Sequence, residues 1–266
     1  MKSFRALLFG FTNLIGFLAF SWPLYLPENR FLGQTLEATW ISVILGAVAV
    51  FIIIAQISDG LLDSKSVAIV SILVALISAL RLLGAGAVGV EPMWFLLILA
   101  SRVLGAQLGF STAVLAMLVS ALLTGGVGPW LPFQIFAAGW IALGVHCFPK
   151  SANQRLEIAA LALYGAFASF IFGALMDLQL WPWLLGTDTQ LSYQPGDSVA
   201  ANFSRFLTFH FATALAWDLP RAILTATLIS LAGRAVLTSL RRAQSRLGVS
   251  WNWKTIDEPV TVQKAV

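Results

Sequence analysis

The sequence predicts an all-α fold, a polytopic bundle of helices that crosses a membrane several times. Hydrophobic residues make up 59% of the 266 residues and charged residues only 11%, whereas a typical soluble domain has about 25% charged residues. So few charged groups cannot cover a globular surface in water. The length suits roughly six to eight apolar helices of about 20 residues joined by short links.

Apolar runs separated by charged residues, glycine or proline predict eight membrane-spanning helices. The breaks are clear at the polar segment 27–30, at the glycine-rich turn 125–129 and at Pro149. The link between the fourth and fifth spans is short and carries no charge. The predicted spans are Ala6–Leu26, Thr39–Ile57, Ser66–Leu83, Pro92–Gly105, Gly109–Thr124, Trp130–Phe148, Leu156–Leu180 and Phe206–Ala232.

Positively charged residues are distributed unevenly over the links between these spans. If the N-terminus lies in the cytoplasm, the outer links hold only Arg30 and Arg205. Multi-pass proteins concentrate Lys and Arg in their cytoplasmic links, so we expect a cell-membrane protein with both termini in the cytoplasm. The basic residues on the cytoplasmic side of this arrangement are Lys2, Arg5, Lys65, Lys150, Arg155, Arg234, Arg241, Arg242, Arg246, Lys254 and Lys264.

The segment 241–266 is predicted to be a basic cytoplasmic tail that begins as a helix. Arg241, Arg242 and Arg246 can meet the anionic headgroups of the bilayer there. An ordinary stop-transfer anchor explains this charge, and a partner-binding surface is the alternative. The basic residues show no strand pattern with interleaved aromatic residues, so nucleic acid is not an expected partner.

Ionisable residues inside the last predicted span are the strongest functional signal, because a charge within a bilayer is costly. Asp218 and Arg221 are spaced i, i+3 and can pair on one face of a helix. Counted from Phe206, Asp218 lies roughly 18 Å along the span, near the middle of the bilayer. Pro220 is expected to bend the helix there. The pair is either a functional centre or a self-neutralising kink, and Arg102 is a second candidate partner for Asp218 unless it reaches the cytoplasmic surface.

A second set of polar and aromatic residues lies near the predicted outer ends of the spans. Gln134 and His210 sit about one turn inside the bilayer, where such side chains either line a site or pack as satisfied core residues. Trp181 and Trp183 are typical of the aromatic belt at a membrane surface. Together the set predicts an outward-facing cavity with aromatic walls and a few polar groups. Its members are Arg81, Glu91, Trp94, Trp130, Gln134, Asp177, Trp181, Trp183 and His210.

The sequence lacks the motifs of several common enzyme classes. It has no G-x-x-x-x-G-K-[ST] phosphate loop, no H-E-x-x-H zinc motif and no G-x-S-x-G nucleophile turn. Two histidines and one cysteine, Cys147, are too few and too far apart for a usual zinc site or an internal disulfide. We therefore expect no enzymatic activity and no cofactor or metal.

One stretch of the sequence carries a family resemblance. Its most specific block is SALLTGGVGPWLPFQ, residues 120–134, within the segment 102–149. Over residues 57–240 the chain resembles the substrate-binding (S) components of energy-coupling factor (ECF) vitamin transporters, in a long actinobacterial-type branch. Supporting stretches are ISDG at 57–60, ALRLLG at 79–84, Phe209-His210 and Trp217-Asp218.

This resemblance implies a six-helix substrate-binding core at 65–240, preceded by two additional N-terminal transmembrane helices at 1–64. A vitamin-sized ligand would sit near the outer face, beneath loops 84–91, 125–129 and 181–205, which the charge distribution also puts outside. The branch implies a cobalamin-like ligand, although the residues do not separate it from riboflavin or thiamine. The candidate substrate-binding residues are Arg81, Glu91, Trp94, Gly125, Gly126, Trp130, Gln134, Asp177, His210, Trp217 and Asp218.

The same resemblance implies partners in the membrane. In S components a small-residue motif on the first core helix docks the membrane coupling subunit, and Ala75 and Ala79 have that spacing. Two ATPase subunits would then drive import. Two alternatives stay open. One is a stand-alone secondary transporter that uses Asp218 and Arg221 as an ion relay, and the other is a membrane scaffold without a ligand.

Overall fold

The described residues fold entirely into helices and their connecting turns, which confirms the predicted all-α class. The computed structural model describes residues 2–24, 36–58, 64–84, 86–148, 153–184, 189–194 and 196–247. Short 3₁₀ turns lie at Trp22–Leu24 and Val145–Cys147. The α-helices are α1 Lys2–Ser21, α2 Leu36–Ser58, α3 Ser64–Leu83, α4 Met93–Leu104, α5 Ala106–Thr124, α6 Leu131–Gly144, α7 Gln154–Leu184, α8 Val199–Thr213 and α9 Leu215–Leu247.

Helices α3, α5, α7 and α9 are long and apolar enough to cross a membrane. Shorter apolar stretches lie within α1, α2, α4 and the α6 region. Large hydrophobic side chains also point away from the bundle, as Leu231 and Leu163 do, with 79% and 70% of their surface exposed. An extended apolar surface of this kind suits contact with lipid. The described part of the chain therefore has the properties of a membrane helical bundle.

Contacts between helix termini divide the bundle into two ends. At one end, Arg221 near the start of α9 binds Glu91 in the turn before α4, and we call this the Glu91 end. At the other end, Glu157 near the start of α7 binds Arg102 of α4 and Arg241 of α9, and we call this the Glu157 end. Helices α3 to α7 run alternately between the two ends, and α9 returns from the Glu91 end to the Glu157 end.

Helices α1 and α2 pack against α6 and contribute to the same hydrophobic core as the rest of the bundle. The ring of Phe20 lies 5.0 Å from that of Phe133, near the start of α6. Further along α6, Trp140 Nε1 donates a hydrogen bond to Asn13 Oδ1 at 2.7 Å. Helix α1 therefore runs from the Glu157 end to the Glu91 end. The start of α1 and the end of α9 lie at the same end of the bundle.

The predicted last span, Phe206–Ala232, is wrong as a single helix. The structure has two helices there, α8 and α9, with a break at Ala214. Ala214 keeps helical dihedral angles and its carbonyl accepts from the N–H of Asp218, so the break is a one-residue interruption. Pro220, which has no N–H to bond the carbonyl of Ala216, weakens the helix just after it. Helix α8 also begins within the predicted polar loop, where the Ser198 hydroxyl caps it by accepting from the backbone N–H of Ala201.

Two glycines make tight turns between neighbouring spans. Gly105 alone separates α4 from α5, with a φ of 88° that side chains rarely adopt. Gly125 ends α5 in the left-handed conformation, and the N–H of Gly126 bonds the carbonyl of Ala121. The short uncharged link between the fourth and fifth predicted spans is therefore a real helix boundary.

The two glycines of α1 offer a matched test of how this helix packs. A Cβ at Gly16 would lie 2.8 Å from the Phe136 ring and 3.2 Å from Trp140, whereas a Cβ at Gly10 meets nothing within 4 Å. Gly16→Ala should lower the free energy of unfolding by about 1–3 kcal/mol because the site is already filled. Gly10→Ala should raise it by about 0.5–1 kcal/mol through helix propensity. Thermal unfolding of both variants in one detergent checks this, and equal shifts would contradict the packing described.

Candidate functional site

A buried ion-pair chain joins three segments at the Glu91 end. Arg221 of α9 donates to Asp218 Oδ1 through Nη1 at 2.7 Å and to Glu91 Oε1 through Nη2 at 3.0 Å. Its Nη1 also reaches the backbone carbonyl of Ser169 on α7 at 3.3 Å. The predicted i, i+3 pair of Asp218 and Arg221 is therefore present. Glu91 also binds Arg221 and so joins this pair to the turn before α4. The side chains of Asp218 and Arg221 are only 1% and 6% exposed.

Asp218 lies in the first turn of α9 and faces Gly173, near the middle of α7. The depth of Asp218 in the bilayer stays a prediction. The predicted pairing of Asp218 with Arg102 is wrong, because Arg102 binds Glu157 at 3.0 Å at the Glu157 end.

His210 joins this chain from α8. Its Nδ1 lies 2.8 Å from Asp177 Oδ2 on α7, and its Nε2 lies 3.9 Å from Asp218 Oδ2 on α9. The imidazole also stacks on Phe206, with ring centroids 6.0 Å apart and an angle of 16° between the planes. Asp218 Oδ2 is buried and has no hydrogen-bond partner among the described residues.

Aromatic side chains pack around the charged groups. Trp94 of α4 donates from Nε1 to Glu91 Oε2 at 2.6 Å and lies 4.5 Å, centroid to centroid, from the Phe172 ring. The guanidinium of Arg221 lies 5.1 Å from the centre of the same Phe172 ring, within the range of a cation–π contact. Trp94 therefore orients the carboxylate that binds Arg221, and Phe172 supports both groups from α7.

A second polar group at the same end centres on Arg81, the last charged residue of α3. Its Nη2 donates to Gln134 Oε1 at 2.9 Å and its Nη1 donates to Ser120 Oγ at 2.8 Å. The Ser120 hydroxyl in turn donates to the carbonyl of Ala116. Arg81 therefore connects the ends of α3, α5 and α6. Arg81 and Gln134, two of the predicted substrate-binding residues, contact each other directly.

The structure therefore brings most of the predicted site residues together. One network contains Arg221 and five of the predicted residues: Glu91, Trp94, Asp177, His210 and Asp218. We call these six residues the Asp218 network. Arg81 and Gln134 form the second group. The remaining predicted residues lie outside both sets of contacts and belong to the 125–130 turn or the surface of α9: Gly125, Gly126, Trp130 and Trp217.

The predictions for individual tryptophans differ in outcome. Trp130 and Trp217 are 42% and 47% exposed, and Trp130 Nε1 bonds the carbonyl of Gly126. Trp181 is 1% exposed and donates to the carbonyl of Leu191, so its assignment to an aromatic belt is wrong. It packs on Tyr193 and Phe206 within a small apolar cluster under α8. The side chain of Trp183 lies outside the described residues.

Sequence reasoning missed residues of α7 that contact the Asp218 network, among them Ser169, Phe172 and Gly173. Ser169 contributes only a backbone carbonyl, which no side-chain pattern reveals. Gly173 faces the Asp218 carboxylate, and a Cβ there would collide with both carboxylate oxygens. The glycine therefore lets α7 approach α9 at this level. In the sequence, the one indication of this close approach was a glycine inside the predicted span Leu156–Leu180.

Ala75 and Ala79 lie on the surface of α3, as a docking motif would require. Ala68 and Ser71 share this exposed face, and Leu76 is 51% exposed beside them. In the described ranges, no group of three or more His, Cys, Asp or Glu side chains is arranged to hold a metal ion.

The position of Arg221 between two carboxylates predicts an order of stabilities. Arg221→Met should lower the free energy of unfolding by about 3–5 kcal/mol because it leaves Asp218 and Glu91 without their cation. Asp218→Asn and Glu91→Gln should lower it by less, since Arg221 still pairs with the remaining carboxylate in each variant. The exposed Arg205, paired with Asp197, supplies the control, and Arg205→Met should cost at most about 1 kcal/mol. Unfolding in one detergent measures all four, and equal stability of the two arginine variants would contradict the assignment.

Comparisons of this chain with protein-family models, with curated proteins and with solved structures found no match. The resemblance to S components therefore rests on the sequence stretches at 57–60, 79–84 and 102–149 and on the short pairs in the last two helices. The largely buried polar network at one end of the apolar bundle is an observation that does not depend on this resemblance.

Proposed function

We propose that this chain is a membrane-embedded subunit that captures a small molecule at the Glu91 end of its bundle. The single observation that carries the proposal is the Asp218 network, in which α7, α8, α9 and the turn before α4 direct polar groups to one place. Small-molecule sites combine apolar and aromatic walls with a few directed polar groups. Trp94 and Phe172 supply the aromatic part here, and Glu91, Asp177 and His210 the polar part.

The energetics of the network favour a functional role over a purely structural one. Ionised groups inside an apolar bundle cost free energy, and apolar residues of similar volume often replace a buried ion pair without loss of stability. The Asp218 network holds three carboxylates and one guanidinium, and the buried Asp218 Oδ2 has no hydrogen-bond partner among the described residues. Stability alone does not require such an arrangement.

The most specific form of the proposal is an S component of an ECF-type importer in the cell membrane. The sequence resemblance supports it, as do the exposed Ala75 and Ala79 on α3, which would dock a membrane coupling subunit. Two ATPase subunits would supply the energy, because the chain has no phosphate loop of its own. The proposed ligand is a vitamin or related micronutrient, of the cobalamin-like class that the resemblance implies.

A second candidate is a stand-alone secondary transporter, which the buried Asp218–Arg221 contact of 2.7 Å favours. Intramembrane carboxylates and histidines form ion and proton relays in such proteins. The two candidates differ in their need for partners. Uptake by this chain in cells without any ECF module would support the secondary transporter, and uptake that requires the module would support the importer subunit.

The proposed orientation can be tested with one native and one introduced thiol. Cys147 is exposed at the Glu157 end, which should face the cytoplasm, and Val127 is 59% exposed in the turn at the Glu91 end. A membrane-impermeant maleimide added to intact cells should label Val127→Cys and leave the wild-type protein unlabelled. Permeabilised cells should show labelling of Cys147 in both proteins. Labelling of the wild-type protein in intact cells would contradict the orientation.

Ligand capture can be tested by native mass spectrometry of the purified protein. The wild-type protein should retain a small molecule, and its mass would identify the ligand class. His210→Ala and Gln134→Ala should each weaken binding by about tenfold or more, because each removes a directed hydrogen bond. Gln154→Ala is the matched control, since Gln154 binds Thr238 at the Glu157 end. Unchanged retention in both site variants would remove these residues from the site.

A further inference from the structure

Arg81 differs from the other wholly or partly buried arginines in the described part of the chain. Three of these, Arg102, Arg205 and Arg221, each form an ion pair with a carboxylate. Arg81 forms an ion pair with no described carboxylate, and its guanidinium binds only neutral oxygen atoms. An uncompensated charge inside an apolar bundle costs free energy. The charge of Arg81 is therefore left without a counter-ion.

The hydrogen bonds of Arg81 hold its guanidinium in one orientation and leave N–H groups unused. Nη1 donates to Ser120 Oγ at 2.8 Å and to the carbonyl of Met117 at 3.5 Å, and Nη2 donates to Gln134 Oε1 at 2.9 Å. Nε and the second N–H of Nη2 have no acceptor among the described residues. Arg81 is half-buried, so these groups are not sealed inside the bundle.

Gln134 adds further donors beside this charge. A guanidinium only donates, so the side-chain oxygen of Gln134 faces Arg81 and the amide NH₂ is directed elsewhere. This NH₂ has no acceptor in the part of the chain that the structure describes, and Gln134 is also half-buried. Unused N–H groups of two neighbouring side chains therefore lie beside a positive charge. Such a combination suits an oxyanion, because ionised carboxylate and phosphate oxygens accept hydrogen bonds.

The surroundings of Arg81 do not supply this anion. Glu91 lies close enough to attract Arg81 electrostatically, but its two oxygens accept from Arg221 and Trp94. The C-terminal end of α5 attracts a cation, which accounts for the contact with the carbonyl of Met117. A helix end carries only about half an elementary charge, so it does not neutralise a guanidinium.

We propose that the molecule captured at the Glu91 end carries a carboxylate or a phosphate, which binds Arg81 through Nε and Nη2 and the amide NH₂ of Gln134. This inference rests on the proposed function, because it names the chemical class of the captured molecule. Ser120 and Gln134 already orient the guanidinium, so little side-chain freedom is lost on binding. The Asp218 network contains more carboxylates than guanidinium groups and does not attract an anion.

Binding of simple anions to the full-length protein tests the proposal. Ligand-free protein, checked by native mass spectrometry, is kept in a maltoside detergent, which has no anionic group. Thermal unfolding is followed while inorganic phosphate or acetate replaces chloride at constant ionic strength. At least one of the two anions should raise the unfolding temperature in a saturable way, and the stronger one indicates whether the ligand carries a phosphate or a carboxylate. An unfolding temperature that neither anion raises would overturn the proposal.

Gln134→Glu separates loss of the site from general damage to the protein. The new carboxylate keeps an oxygen next to Arg81 and supplies its counter-ion from within the bundle. The variant should therefore unfold at a higher temperature than the wild-type protein in chloride and lose the response to phosphate and acetate. General destabilisation does not produce these two effects together. A full anion response in Gln134→Glu would contradict the site.

Two substitutions of Arg81 separate its charge from its shape. Arg81→Gln removes the cation and should weaken binding of the stronger anion by about tenfold or more. Arg81→Lys keeps the charge without the planar set of N–H groups, so its affinity should lie between those of Arg81→Gln and the wild-type protein. Arg205→Gln is the matched control, because Arg205 already pairs with Asp197. Equal losses of affinity in Arg205→Gln and Arg81→Gln would reject a specific role of Arg81.

Lipid headgroups are a second source of phosphate at the end of a membrane span. The titration is therefore repeated in nanodiscs of phosphatidylcholine, where a site for a soluble ligand keeps its anion response. Loss of the response there would show that lipid occupies Arg81 and would overturn the proposal. A molecule retained in native mass spectrometry that has neither a carboxylate nor a phosphate would also overturn it. If no molecule is retained but the anions bind through Arg81, ligand capture fails and the anion site stands.

Discussion

The guanidinium of Arg221 lies between two carboxylates, and the arrangement of the Glu91 end depends on that contact. It joins Asp218 of its own helix to Glu91 in the turn before α4, and it bonds the Ser169 carbonyl of α7. Three parts of the chain are thereby fixed at one level. The face of Phe172 covers the guanidinium, so the charge is held among apolar and aromatic groups as well as ionic ones. His210 and Asp177 continue the same network to α8.

A similar arrangement closes the opposite end of the bundle. Glu157 accepts from both Arg102 and Arg241, and Arg102 also bonds the carbonyl of Phe148 at 2.8 Å. Helices α4, α7 and α9 are thus tied by charges at both ends. Between the ends the helices have little hydrophobic incentive to associate within lipid, and close packing replaces it. Gly139 illustrates this, because the ring of Phe110 lies where a side chain would otherwise stand.

The two networks differ in how completely they are satisfied. Glu157 receives two guanidinium groups, whereas in the Asp218 network three carboxylates share one guanidinium and an imidazole. Both networks couple the same helices, so coupling alone does not explain the difference. The unsatisfied network lies beside α8, the helix that departs from the simple pattern of antiparallel spans. Ionisable groups inside an apolar membrane bundle are candidates for a functional site, and the incompletely satisfied network is the stronger candidate of the two.

Composition, periodicity and spacing along one helix are local properties, and they predict an apolar all-helical bundle, the positions of most helices and the pairing of Asp218 with Arg221. Three other features follow only from the folded arrangement: Arg102 pairs with Glu157, Trp181 is buried against α8, and the last predicted span is two helices. These outcomes depend on which groups from distant segments meet, and on the need of each buried charge for a partner.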